Sequence, residues 1–330
     1  MLWDSDRSDT LKFLTFSASP VGERLGLLLS DNQVLDLTAS GGDGLASFLD
    51  LVEAGQGALR RAKDLEAHAL AGDPWVASLV CPLSELSWCA PIPRPRKNVY
   101  CVGLNYRSHV EQNARALGAA FELPTVPLFF SKPVTAVIGP GAAINCDRRL
   151  TAKLDYEVEL AIVIGKRGTW IPIEQAMDYV FGYTLGNDVS ARDLQFRTSQ
   201  FLIGKGLDTF CPLGPVVVDR DSIPDPAAIM LELYVNGELR QRESSGHMLF
   251  SVPEIISELS KGITLEPGDV ILTGTPDGCG YQMLPPRFLQ PGDLVECRAE
   301  SIGVLGNPVA APSGTATQFM EEVERARWRL

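Results

Sequence analysis

The strongest constraint on the fold is a series of short apolar stretches that begins at Asn98: NVYCVGLNY, VPLFFSKP, DYEVELAIVIG, PVVVD, LELYVNG, DVILTGTP and DLVECRAE. They are rich in β-branched and aromatic residues, and Gly and Pro turns cut them too short for helices, so they read as strands. Helical segments are limited to ARALGAA, PIEQAMDYV and VPEIISELSKG. The strand spacing is too irregular for a βαβ repeat. No G-x-G-x-x-G or G-x-x-x-x-G-K-[ST] stands between a strand and a helix, which argues against a nucleotide-binding fold. The expected class is α+β, mainly β.

Ahead of these strands lies a different organisation. LKFLTF, RLGLLL and VLDL read as two or three short strands. Residues 43–70 carry apolar positions at helical spacing, with Leu45, Phe48, Leu49 and Val52 on one stripe, and continue into ALRRAKDLEAHAL. The Pro-rich stretch from Cys89 to Lys97 then reads as an extended connector. A small N-terminal strand/helix domain over 1–85 and a catalytic domain over 86–330 are therefore expected.

Composition narrows the function. Lys and Arg total 29 against 41 Asp and Glu, a net charge of −12, so the basic surface that a nucleic-acid binder needs is absent. No apolar run approaches the ~18 residues of a membrane span, and the polar, acidic start is unlike a secretory leader. A cytoplasmic protein is expected. The seven cysteines form no C-x-x-C pair, which suits free thiols in a reducing compartment. A nucleophilic cysteine would need a partner that lowers its pKa, and the only histidines are His68, His109 and His247.

Several segments carry candidate chemistry. In Asp155-Tyr156-Glu157-Val158-Glu159-Leu160, strand alternation puts Glu157 and Glu159 on one face. Acids so placed repel unless a proton or cation lies between them, and hard divalent cations take oxygen ligands; a solvated outer face is the plainer reading. Asp188, in Asn187-Asp188-Val189-Ser190-Ala191-Arg192, reads either as a helix N-cap or as a buried ligand. Lys205 stands between two glycines and His109 follows a strand-to-turn segment, each with a structural alternative. Thr273-Gly274-Thr275-Pro276-Asp277-Gly278 is a tight turn whose backbone N–H groups could hold a carboxylate or enolate oxygen.

In order along the chain, GLNYRSH, LFFSKP, DYEVEL, NDVSARDLQ, GKGLDTF, PLGP, VNGE, LTGTPDG and PGD resemble the signature of the fumarylacetoacetate hydrolase superfamily. The resemblance spans roughly residues 95 to 310, and the N-terminal strands are similar to the small leading domain of many members. It implies a mixed β-sandwich roll with a small N-terminal α/β module, usually a homodimer. It further implies Mg²⁺ (or Mn²⁺ or Ca²⁺) held by Glu157, Glu159 and Asp188, and 2-oxo or 2,4-dioxo acid substrates.

The reaction implied first is hydrolysis of a carbon–carbon bond in an acylpyruvate, fumarylacetoacetate- or fumarylpyruvate-like, in aromatic catabolism. The alternatives are a 2-oxo acid decarboxylase, hydratase or isomerase of the same superfamily, and a non-catalytic metal-dependent dicarboxylate binder. By matched position His109 is the general base and Lys205 neutralises developing charge, while Tyr106, Arg192, Gln195, Thr275 and Lys132 line the substrate pocket. One departure stands out. Many members place Glu three residues after the histidine, where this chain has Gln112, leaving Glu111 as the nearest carboxylate and the candidate catalytic partner. The segment 110–124 has the composition of a mobile lid, expected to be disordered or raised without substrate.

Overall fold

The computed structural model describes residues 10–17, 22–30 and 32–312. Strands Lys12–Ser17 (β1), Glu23–Ser30 (β2) and Gln33–Asp36 (β3) come first. Helices Phe48–Ala54 (α1) and Gln56–Leu70 (α2) follow, and then the short strand Val80–Pro82 (β4). The Ser47 side chain caps α1 by accepting from Asp50 N–H. Gly55 breaks the two helices apart at a φ of 59°, a conformation that costs glycine little.

After the proline-rich connector come Val99–Gly103 (β5), helix Arg107–Leu117 (α3), Leu128–Lys132 (β6), Val158–Ile164 (β7), Val180–Asn187 (β8) and Cys211–Asp219 (β9). The chain continues through Met230–Val235 (β10), Glu238–Ser244 (β11), helix Val252–Leu259 (α4), Val270–Leu272 (β12), Leu294–Ala299 (β13) and Gly303–Ala310 (β14). PIEQAMDYV forms 3-10 turns over Ile173–Tyr179 rather than an α-helix, because β8 starts at Val180 and leaves about two turns of chain. The α3 helix starts earlier than ARALGAA alone predicts and takes in His109.

The main sheet runs β4-β3-β2-β1-β9-β8-β7-β12-β5-β6. Its neighbours are antiparallel except β12 and β5, where Ile271 pairs with Tyr100 in parallel. The N-terminal strands continue this sheet, since β1 pairs with β9 at Lys12↔Val218 and Phe13↔Val217. The Pro-rich connector thus divides the sequence while the sheet passes across the division. Every residue of β7 is buried. Leu160, Ile162 and Ile164 share a core with Leu231, Leu233, Val295 and Leu305 of a second sheet. Ala161 and Val163 share another with Leu51, Val52 and Ala62 of α1 and α2. A strand covered on both faces needs a continuous apolar run, which LAIVI supplies. The result is the mainly β, α+β architecture expected. Among the described residues, no helix is long and apolar enough to cross a membrane.

This topology gathers one end of several strands. Because β7 is antiparallel to β8 and β12, and β12 is parallel to β5, the amino end of β7 meets the carboxyl ends of β5, β8 and β12. Leu104, just past β5, sits at a φ of 57°, an unfavourable conformation for a branched side chain that its surroundings must hold. Asn105 supplies the hold. Its buried amide donates to Phe250 O (3.0 Å) and Thr273 O (2.7 Å) and accepts from Phe250 N–H (2.7 Å). Asn105→Ala leaves these groups unpaired, so a destabilisation of about 3 kcal/mol is expected in denaturant unfolding. An unchanged midpoint would show that the turn is set elsewhere.

Candidate active site

At that strand junction, Glu157, Glu159 and Asp188 each offer a carboxylate oxygen within 4.8 Å of the others, and all three residues are buried. Glu157 stands just before β7, its N–H donating to Asn187 Oδ1 (3.0 Å) and its carbonyl accepting from Asp188 N–H (2.9 Å). Asp188 follows β8 and is no helix cap, because the next helical turn, Arg192–Gln195, has Ala191 at its N-cap. Glu159 accepts from Gly274 N–H (2.7 Å) in the turn after β12. Gly274 has a φ of 99°, and a Cβ there would lie 2.7 Å from Asn105 Cβ, so glycine alone brings this backbone to the acid.

Three buried cations surround the acids. Lys205 Nζ lies 2.8 Å from Glu157 Oε2 and 2.6 Å from Asp188 Oδ2. Lys132, expected in the substrate pocket, is fully buried: its Nζ meets Asp188 Oδ1 at 2.5 Å and donates to the carbonyls of Val189, Lys205 and Phe210. Arg192 bridges Glu157 Oε1 (2.6 Å) and Asp155 Oδ2 (2.8 Å), and donates to Gln195 Oε1 (3.0 Å). Burial opposes charge on Glu157, yet Lys205 and Arg192 hold its carboxyl well below the usual range. Burial likewise works against Lys205, and Asp188 and Glu157 keep it charged.

Glu159 is the exception. Burial, then Asp188 and Glu157, push its carboxyl well above the ordinary value, and it forms no ion pair among the described residues. Its only hydrogen-bond donor there is Gly274 N–H. An all-oxygen donor set with one acid lacking a cation suits a hard divalent ion, so the residues fit the metal that the acid pattern suggests.

On the open side, α3 carries His109 against the loop 276–282. His109 is buried, and its Nδ1 is 3.3 Å from Gln282 Nε2 and 3.8 Å from Cys279 Sγ. Burial lowers the imidazole pKa to about 4, with Arg192 and Lys205 adding to that and Glu157 opposing it. Gln112 is occupied by the loop, accepting from Gly278 N–H (3.0 Å) and donating to Asp277 Oδ2 (3.2 Å). Burial raises the Cys279 thiol well above its ordinary value, which removes the case for a nucleophilic thiolate here.

Of the other residues singled out from sequence, Tyr106 is buried with no hydrogen-bond partner for its hydroxyl among the described residues. Thr275 is buried, accepting from Gln241 Nε2 (2.9 Å). Glu111 lies two residues on from His109 in α3, which in a regular helix faces away from it, and its carboxylate pairs with Arg107 (3.5 Å) and Arg115 (3.8 Å). The predicted lid is helical to Leu117, docked through Gln112 and through Asn113, which accepts from Tyr281 OH (3.0 Å).

Sequence reasoning missed Asp155, which accepts from Arg192 Nε, Gly280 N–H (2.8 Å) and Tyr281 N–H (3.1 Å), anchoring loop and cation together. The alternation that paired Glu157 with Glu159 also includes position 155, so the signal was present. Gln241 reaches in from β11, donating to Thr275 and Pro276 O and accepting from Val158 N–H (3.0 Å). Nothing local in its sequence marks it.

Comparison with known proteins agrees with this arrangement. Residues 98–310 match the family model for the fumarylacetoacetate (FAA) hydrolase C-terminal domain. The oxaloacetate tautomerase YisK of Bacillus subtilis is 43% identical over 296 residues, covering 86% of this chain and 95% of that protein. Among solved structures, a probable 2-hydroxyhepta-2,4-diene-1,7-dioate isomerase from Mycobacterium abscessus superposes with a TM-score of 0.72 at 33% identity, covering 92% of this chain and all of that one. The maleylpyruvate hydrolase of Sphingobium sp. SYK-6, in complex with manganese (II) ion and pyruvate, gives a TM-score of 0.72 at 30% identity with the same coverage. The chain belongs to the fumarylacetoacetate hydrolase superfamily, a family of enzymes.

Proposed function

We propose that this enzyme is a divalent-metal-dependent tautomerase that interconverts keto and enol forms of a short 2-oxo dicarboxylic acid of the oxaloacetate type. One observation carries the choice over hydrolysis: among the described residues, no carboxylate hydrogen-bonds the His109 ring. Its ring meets a glutamine amide, a thiol and the Pro276 carbonyl, Gln112 is occupied elsewhere, and Glu111 pairs with arginines. Drawing a proton from attacking water leaves an imidazolium, and burial, with Arg192 and Lys205, opposes that charge more than Glu157 favours it. Tautomerisation moves one proton between C3 and the C2 oxygen, consumes no water and breaks no carbon–carbon bond. The name of the Bacillus relative, matched over nearly its whole length, supports the same reading.

Glu157, Glu159 and Asp188 would hold the cation, Mg²⁺, Mn²⁺ or Ca²⁺, which supplies electrophilic pull on the substrate's carboxylate and 2-oxo oxygens. The protein's own part is to orient and to balance charge. Lys132 and Lys205 fix the ligating acids and offset the charge that a dianionic substrate and its enolate bring. Arg192, with Gln195 beside it, presents a further buried cation. Thr275 accepts from Gln241 and so keeps its own hydroxyl hydrogen free to donate, and the Tyr106 hydroxyl offers another polar contact.

Three outcomes test this. Purified protein with Mg²⁺ should accelerate the loss of enol absorbance from oxaloacetate, an effect removed by a chelator and reduced about 100-fold or more in Lys205→Met. Cleavage of an acylpyruvate at a comparable rate would instead establish the hydrolase that the Sphingobium neighbour exemplifies.

Mg²⁺ or Mn²⁺ should raise the melting temperature, by the equivalent of about 2.7 kcal/mol at 100-fold excess over Kd. In Glu159→Gln that shift should vanish while the metal-free protein is no less stable, because a carboxylate crowded by two others has been removed. A lower metal-free melting temperature would count against the cluster.

The His109 ring should be neutral by NMR at pH 6, protonating only near pH 4. The sign follows from burial: stability gained by keeping the ring neutral is complete above the ordinary 6.5 and declines as pH falls towards 4. A charged ring at pH 6 would overturn this environment.

A further inference from the structure

Each acid of the cluster has one oxygen already held by a donor of its own. Glu157 Oε1 lies 2.6 Å from Arg192 Nη1, Asp188 Oδ1 lies 2.5 Å from Lys132 Nζ, and Glu159 Oε2 accepts from Gly274 N–H (2.7 Å). These donors come from three separate places: the helical turn after β8, the end of β6 and the turn after β12. The second oxygens of Glu157 and Asp188 both meet Lys205 Nζ, at 2.8 and 2.6 Å, so those two lie towards each other. A carboxylate oxygen has a further lone pair, so these can serve a metal as well.

Lys132 is the clearest of the three donors. An ammonium has three hydrogens, and this one is surrounded by Asp188 Oδ1 and by the carbonyls of Val189 (3.0 Å), Phe210 (2.8 Å) and Lys205. None is left for a substrate oxygen. Fully buried and consumed by the main chain, the side chain acts on one thing with chemistry in it, the Asp188 carboxylate.

We infer that Lys132, Arg192 and the Gly274 N–H each withhold one carboxylate oxygen, so that Asp188, Glu157 and Glu159 present one oxygen apiece to a cation and the site selects Mg²⁺ or Mn²⁺ over Ca²⁺. Lys132 is then a positioning residue for metal selectivity. The inference rests on the metal reading of these acids, whichever reaction the enzyme catalyses. Bidentate binding turns both oxygens of a carboxylate to one ion, and a lysine or arginine already on the second oxygen would stand against that ion, charge to like charge. Ca²⁺ takes about six to eight oxygens and commonly draws both from a carboxylate, whereas Mg²⁺ takes about six in an octahedron and keeps several waters. Three single oxygens therefore suit the smaller ion. They leave about three positions, enough for the carboxylate and keto oxygens of a 2-oxo acid.

The test is calorimetric titration of the full chain with Mg²⁺, Mn²⁺ and Ca²⁺, without substrate. Wild type should bind Mg²⁺ and Mn²⁺ about tenfold or more tighter than Ca²⁺. Lys132→Met should weaken Mg²⁺ about tenfold, as loss of a partner behind a ligand does, and should weaken Ca²⁺ less because Asp188 gains its second oxygen, so that the ratio narrows. Where Lys132→Met fails to fold, wild type carries the test alone: pulsed electron paramagnetic resonance of its Mn²⁺ complex in deuterated water should count about three exchangeable waters.

Ca²⁺ binding as tight as Mg²⁺ in wild type would overturn the inference. So would fewer waters on Mn²⁺, or an unchanged ratio in folded Lys132→Met. Binding of none of the three ions would reject the metal reading itself, and the selectivity with it. No arm depends on turnover, so a protein that selects Mg²⁺ yet is inert towards oxaloacetate would reject the substrate reading and keep the role of Lys132.

Discussion

The structure depends on a buried balance of charge. Glu157, Asp188 and Asp155 are each matched by Lys132, Lys205 or Arg192, all withdrawn from water at the meeting point of four strands. Such a network gives little net stability, because desolvation consumes most of the Coulombic gain. What it gives is geometry. Removing any one partner strands a charge in a low-dielectric interior, so the arrangement tolerates few alternatives, and side chains from distant parts of the chain stay in register. Glu159, left out of the pairing, is where the balance is incomplete, and a divalent cation would complete it.

Around that centre, two different faces have been built. The inner face is rigid, made from strand ends whose register is set by continuous ladders through β7, β8 and β12. The outer face consists of α3 and the loop 276–282, joined to each other by side-chain amides and hydroxyls. Ion pairs fix the first; amides and hydroxyls join the parts of the second, which Asp155 ties back to the first. This division suits a reaction in which the inner face withdraws electron density and the outer face manages a hydrogen without itself becoming charged.

Much of this was legible in the sequence, for identifiable reasons. Period-two alternation brought Glu157 and Glu159 to one side, and the apolar LAIVI run read as a strand. Asp188 was ambiguous because a short acid before Ser-Ala-Arg serves equally as a cap, and only the chain path after β8 resolves it. Lys132 was placed in the pocket by resemblance alone, because its burial depends on three carbonyls from positions 189, 205 and 210, far from it along the chain. Gln282 and Gln241 carried no signal at all. A glutamine is informative only through its neighbours, and these neighbours come from other elements.

The pairing of β1 with β9 has a consequence for the limits of the enzyme as a folding unit. The family match begins at residue 98, yet a chain trimmed there would lose β1 and leave the long, apolar β9 as an edge. Unpaired strand edges of that kind recruit other chains. The leading segment thus belongs to the same folding unit as the catalytic region, covering at Lys12 and Phe13 an edge that a trimmed chain would present to its own copies.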